Sequence, residues 1–150
     1  MSGEAPIRVK DVMTQDYQTV DGIMTVKDGV CRMRDTGAVA LIVQKRNIDD
    51  EYGIVLLSDV AREVVAKDRS PERVNIYEIM SKPVIGVDPD MDIRYCTRLF
   101  DKFGLSYAPV IDNGELKGVV SYASMVLRGL CRDAQDSRAL RHNPRSTMLA

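Results

Sequence analysis

A chain of 150 residues with 21 basic and 22 acidic side chains has a formal net charge of −1, so bulk charge directs it neither to nucleic acid nor to an anionic membrane. Hydrophobic residues at 45% and charged residues at 29% suit one globular domain, or two small halves sharing a core. No apolar run approaches the roughly 18 residues that cross a bilayer, and residues 1–11 lack the apolar stretch of a secretory signal.

Three cysteines without close spacing (Cys31, Cys96, Cys131) fit neither a disulfide framework nor a zinc site, so a reducing cytoplasm is the expected compartment. The single histidine, His142, lies in a polar tail, which argues against a histidine-based proton relay or metal centre.

In chain order, a strand is predicted at 17–20 and a helix at 25–36 ended by Gly37. Strands follow at 39–43 and 53–57, separated by the charged stretch 45–52, which reads as a solvated hairpin tip. A helix at 59–67 turns Val60, Val64 and Val65 toward a core. Residues 68–73 are polar linker, after which Asn75 is expected to cap one helical turn at 76–80. The apolar run 84–87, ended by Asp88-Pro89, is predicted as a strand. From Asp92 onward, Ile93, Cys96, Leu99, Phe100 and Phe103 recur at helical spacing, with Gly104 where a left-handed cap is wanted. Strands at 107–111 and 116–121 flank Asp112-Asn113-Gly114, a tight hairpin signal. Met125, Val126, Leu127 and Leu130 supply the apolar side of a closing helix, and residues 133–150 read as a flexible polar tail.

The chain repeats itself. Met13 and Met80 stand 67 residues apart, and Val20-Asp21, Met24, Gly37 and Val43 match Val87-Asp88, Met91, Gly104 and Val110 at the same offset. Gly53-Ile54-Val55 matches Gly118-Val119-Val120 at 65, so the first copy carries two extra residues within 45–52, where a loop tolerates them. The expected organisation is an α/β (α+β) fold of two βαββα repeats about a pseudo-twofold axis. Residues 1–68 and 76–132 are the repeats, and 69–75 the linker. Each half leaves apolar surface that the other can bury, with a cleft between them for a ligand. Met13, Met24, Met33, Met80 and Met91 are expected to fill gaps around that interface.

The opening segments 9–14 and 76–81, the run 104–112 and the run 53–60, occurring in order and twice, resemble the CBS family, named for the regulatory domain of cystathionine β-synthase. The resemblance covers residues 7–132 and implies dimerisation into a flat disk. It also implies an adenosyl ligand (AMP, ADP, ATP, S-adenosylmethionine or NAD) in the clefts and a separate protein that is regulated. The family motif closing each repeat is Gly, two apolar residues, Thr or Ser, any two residues, then Asp; the hydroxyl faces phosphate and the carboxylate takes the ribose hydroxyls. Here the motif is split: Asp59 is kept but Leu56 stands at the hydroxyl position, whereas Ser121 is kept but Ser124 replaces the carboxylate. Asp59 has helix capping as its alternative role, as do Ser121 and Ser124.

By the same resemblance, Tyr17-Gln18-Thr19 and Pro83-Val84-Ile85 meet the adenine through backbone groups. Val84 and Ile85 either sandwich the base or are simple core, and Tyr107 either stacks on a ring or packs at the interface. Two readings remain open at this point: a ligand-sensing homodimer, and a dimerisation or adaptor module whose nucleotide site has decayed. An enzyme is not expected, since there is no phosphate-cradling or dinucleotide glycine motif and no nucleophile with a paired base.

Overall fold

Ala40-Leu41-Ile42-Val43 has no polar position, and the protein buries both faces of that strand. The computed structural model describes residues 5–82 and 84–131. In chain order these form α1 (Val9–Val12), β1 (Tyr17–Val20), α2 (Val26–Thr36), β2 (Ala40–Val43) and β3 (Gly53–Leu56). Helix α3 (Leu57–Val60) continues as a π-helical turn, Ala61–Val65, and a 3₁₀ turn spans Ile76–Glu78. The second half adds α4 (Ile93–Phe103), β4 (Tyr107–Asp112), β5 (Glu115–Ser121) and α5 (Tyr122–Leu130). Strand β1 runs parallel to β2 and β2 antiparallel to β3 in one sheet; β4 and β5 form an antiparallel pair in another.

Alternation along the strands assigns each side chain to a core. Leu41, Val43 and Val55 face α2 and the α3 segment with Val26, Met33 and Val64, while Ala40, Ile42 and Ile54 face the other sheet and meet Val119. In the second half Ala108, Val110 and Val120 face α4 and α5, with Cys96, Phe100 and Met125. Met13, Met24, Met80 and Met91 pack half-buried against these cores, and Met33 is buried. Both long helices end as their glycines require: Gly37 (φ 75°) and Gly104 (φ 66°) adopt the left-handed cap.

The opening segments are exchanged between halves. Val9 and Val12 of α1 pack in the core of the second half, and Ile76 and Ile79 in the core of the first. The backbone records the same symmetry. Thr14 N–H donates to Val119 O at 2.8 Å and Val119 N–H returns to Thr14 O at 2.9 Å, while Ile54 and Ser81 exchange the equivalent pair at 3.0 Å each. This crossing explains the first glycine of the closing motif. A Cβ on Gly53 would lie 2.6 Å from Met80 Sδ, and one on Gly118 3.0 Å from Thr14 O, so each glycine admits the other half's opening segment.

The structure corrects four expectations. Residues 84–87 form no strand; only Val87 pairs, with Val110. Val87 N–H donates to Pro109 O and Ile111 N–H to Val87 O, both at 3.0 Å. The next rung would need an N–H on residue 109 to reach Ile85 O, and proline has none. The matching residue in the first half is Ile42, and there β1 pairs with β2 over its whole length.

Asn75 does not cap the 3₁₀ turn with its side chain, which donates to Ile23 O at 2.7 Å; Glu78 instead returns its carboxylate to Asn75 N–H at 2.7 Å. Helix α3 starts at Leu57, two residues before Asp59. Finally, the loop 45–52 is exposed at 46–49 and 51 as expected but not throughout, because Asp50 turns inward, half-buried, into an ion pair.

Candidate functional site

Matching positions of the two sheets converge on the surface between them. In the first sheet, register sets Tyr17, Ala40 and Leu56 in one row; in the second, Tyr107 stands opposite Ser121. Tyr17, Tyr52, Leu56, Val84, Tyr107 and Leu116 lie half-buried around Ala40, Ile42, Ile54 and Val119. The structure therefore brings together Tyr17, Val84 and Tyr107 of the expected site. Gln18 follows Tyr17 on the opposite face of β1, Thr19 is exposed, and Ile85 is 39% exposed outside this cluster. Pro83 lies outside the described residues.

The segment after the second opening turn differs from β1. Val84, Ile85 and Gly86 make no backbone hydrogen bond to a described residue, whereas β1 is laddered to β2. Burial, with the neighbouring Tyr52, pushes the Tyr17 phenol above its ordinary value. Lys45 Nζ sits 4.9 Å from the Tyr52 ring centre.

The closing motif in both halves is a helix start. Asp59 Oδ2 accepts from Leu56 N–H at 2.8 Å and Oδ1 from Arg62 at 2.7 Å. In the second half Ser121 Oγ accepts from Ser124 N–H at 3.1 Å, and Ser124 Oγ accepts from Ser121 N–H at 3.0 Å. A spacing of three residues is what a reciprocal cap requires, so the motif positions carry a structural task in this chain. An ionised carboxylate retains further lone pairs, so capping leaves Asp59 able to accept a hydroxyl.

Sequence reasoning missed Tyr52 and the Asp50–Lys82 contact; the length difference between the two copies marked the loop but not the residue that turns inward. Lys82 Nζ lies 2.5 Å from Asp50 Oδ1, with side chains 23% and 11% exposed, and Arg46 N–H donates to Asp50 Oδ2 at 2.8 Å. Lys82, then the Arg46 amide, hold the Asp50 carboxyl well below the usual carboxylate range. The cysteines are all free. Burial pushes the Cys96 thiol up to about 11, so it stays protonated at neutral pH and offers no nucleophile. Among the described residues no helix is long and apolar enough to cross a membrane.

Solved structures share this arrangement. A hexameric CBS-CP12 protein from bloom-forming cyanobacteria superposes with a TM-score of 0.81 at 31% identity, covering 95% of this chain and 83% of that one. The CBS domain pair of protein MJ0100, in complex with 5′-methylthioadenosine and S-adenosyl-L-methionine, gives 0.67 at 20% identity over 79% of this chain and 96% of that one. Among curated relatives, the uncharacterized protein MK0525 of Methanopyrus kandleri is 29% identical over 77% of this chain and 59% of its own length. A homoserine O-acetyltransferase of Methanosalsum zhilinae is 32% identical over 76% of this chain but 22% of its own length. The chain thus spans less than two thirds of both. A model of the CBS domain matches residues 9–66 and again 76–128, and the chain belongs to the CBS domain family.

Proposed function

We propose that this CBS pair is a regulatory module of the cytoplasm, not a catalyst, that binds an adenosyl ligand between its repeats and passes the occupancy to a partner protein. AMP, ADP and ATP are the first candidates, with S-adenosylmethionine and NAD beside them. The observation that carries the reading is the segment 84–86. Its backbone groups make no hydrogen bond to a described residue, beside the half-buried faces of Val84, Tyr107 and Tyr17. A purine needs that combination of edge donors and acceptors with an apolar wall. The adenosyl ligands of the MJ0100 pair support the same class.

Calorimetry with adenosine, 5′-methylthioadenosine, S-adenosylmethionine, AMP and ATP tests it. Asp59→Asn keeps an oxygen for Leu56 N–H but loses the charged acceptor, so the ligand is expected to bind about ten- to a hundredfold more weakly with the fold retained. Ser124→Asp puts a carboxylate where Asp59 already caps α3, and is expected to tighten binding in the second half. The adaptor reading draws on the closed hydrogen bonds of Ser121 and Ser124. It prevails if wild type binds none of the five and Ser124→Asp gains none.

A homodimer is part of the proposal. Helix α5 presents Tyr122, Val126, Leu127 and Leu130 to solvent, and its basic residue, Arg128, donates inward to Met13 O at 3.0 Å. On the two long helices α2 and α4, Phe103 is 52% exposed, but Met33 is buried and Val30 and Leu99 pack half-buried within the chain. Among the described residues α5 thus carries more exposed large apolar side chains than any other element, and such a stripe is stable in water when a partner covers it. Light scattering at tens of micromolar is expected to give about twice 16.8 kDa for wild type, and Leu127→Arg is expected to shift the protein toward monomer. A wild-type mass near 16.8 kDa would refute the dimer.

A further inference from the structure

The two repeats treat their ligand-facing segments differently because of one matched position. Ile42 and Pro109 stand at the repeat offset of 67 residues, and both are buried. In the first half β1 is closed on either side of Gln18, which stands in register with Leu41. Val39 N–H donates to Asp16 O at 2.8 Å and Gln44 N–H to Val20 O at 2.9 Å. In the second half the rung at Val87 is the counterpart of the one at Val20, and the ladder stops there, since Pro109 has no N–H for Ile85 O.

The 84–86 segment is nonetheless held at both ends. Ser81 exchanges two backbone hydrogen bonds with Ile54 and Lys82 pairs with Asp50, while Val87 is bonded to β4. The Ile111 side chain lies over Gly86, where a Cβ would stand 2.9 Å from its Cδ1. Ile85 precedes Val87 by two residues, so in an extended chain its N–H and C=O turn to the same side as the bonded pair of Val87. Neither group of Ile85 meets a described residue, whereas its counterpart Gln18 sits within the ladder. The outer edge of β1, at Tyr17 and Thr19, has its match at Val84 and Gly86 and does not set the halves apart. A free N–H beside a free C=O matches an adenine edge, where a ring nitrogen accepts and the 6-amino group donates.

We infer that Pro109 decides which repeat takes the base: the chain binds one adenosyl ligand, at 84–86, and Ile42 closes the equivalent position at 17–19. This rests on the adenosyl-ligand reading above and adds the stoichiometry and the residue that sets it.

The test is calorimetric titration of AMP and of 5′-methylthioadenosine, which share the base, against wild type, Pro109→Ala and Pro109→Val. Wild type is expected to bind one equivalent per chain. Both variants give residue 109 an N–H for Ile85 O, so each is expected to bind both ligands at least about tenfold more weakly. Native-state hydrogen exchange reads the cause. Amide 109 is expected to be protected in both variants, with Val110 and Val120 still protected because the half stays folded. The two replacements differ in volume and share the N–H, which separates the new rung from packing. Four results overturn the inference and leave the adenosyl site standing: two equivalents per chain for wild type, wild-type affinity in both variants, loss in one variant alone, or an amide 109 that exchanges freely. Failure of wild type to bind either ligand overturns the adenosyl reading and this inference with it.

Discussion

Phe100→Ala is expected to lower the free energy of unfolding by about 3–5 kcal/mol, read as an earlier midpoint in urea. The ring is fully buried on α4 and meets Tyr122 edge-on, with centroids 5.3 Å apart at 74°. Around it lie Val9 and Val12 from α1, Val110 and Val120 from the sheet, and Met125 from α5. Those neighbours come from four separate elements tied by their own hydrogen bonds, so they cannot collapse into the space that an alanine leaves. Cys96 on the same helix supplies a second readout. Its thiol is buried and held protonated in the native protein, so thiol labelling is expected to accelerate in the variant as the half opens more often. A loss below about 1 kcal/mol with unchanged labelling would show that the second half has no such single core.

How much of this was written in the sequence depends on the range of the interaction. The helix at 93–103 and the hairpin around Asn113-Gly114 are local patterns, and both were legible to within a residue or two. The absent strand at 84–87 was half legible: the apolar run suggested it, while the reason it fails is Pro109, whose missing N–H acts on a partner more than twenty residues away. The exchange of opening segments was not legible. Val12 and Ile79 look alike in a repeat pattern, and nothing local says which half each one enters. For the site, the split motif could be read directly, but its capping geometry could not, because it hangs on where α3 begins. Asp50 sits in a run of Asp49-Asp50-Glu51, in which composition alone cannot single out the one that turns inward.

The exchange itself is open to a local measurement. Ile76→Ala is expected to cost about 2–5 kcal/mol, since the side chain is fully buried and loses three methylene-sized groups. The informative result is where the loss falls. Ile76 belongs to the second copy in sequence, yet it packs with Leu41, Val55 and Val26 of the first, and its N–H donates to Met24 O at 2.8 Å. Its nearest neighbours include the glycine of α2: a Cβ on Gly29 would stand 3.0 Å from Ile76 Cδ1, so helix and turn are fitted to each other at that point. Native-state hydrogen exchange on the variant is therefore expected to show protection falling first for Leu41, Ile42 and Val55, with Val110 and Val120 retaining theirs until the whole chain unfolds. If instead Val110 and Val120 open first, the turn stabilises the half it belongs to in sequence, and the crossed arrangement of α1 and the 76–78 turn is wrong. A change at α1 supplies the mirror image. Val12→Ala removes a fully buried side chain from the other core, so its smaller loss is expected at Val110 and Val120, with Leu41 and Val55 spared. Crossed effects from two substitutions, each felt in the opposite copy, have no explanation in a molecule built of two side-by-side repeats that each close on themselves.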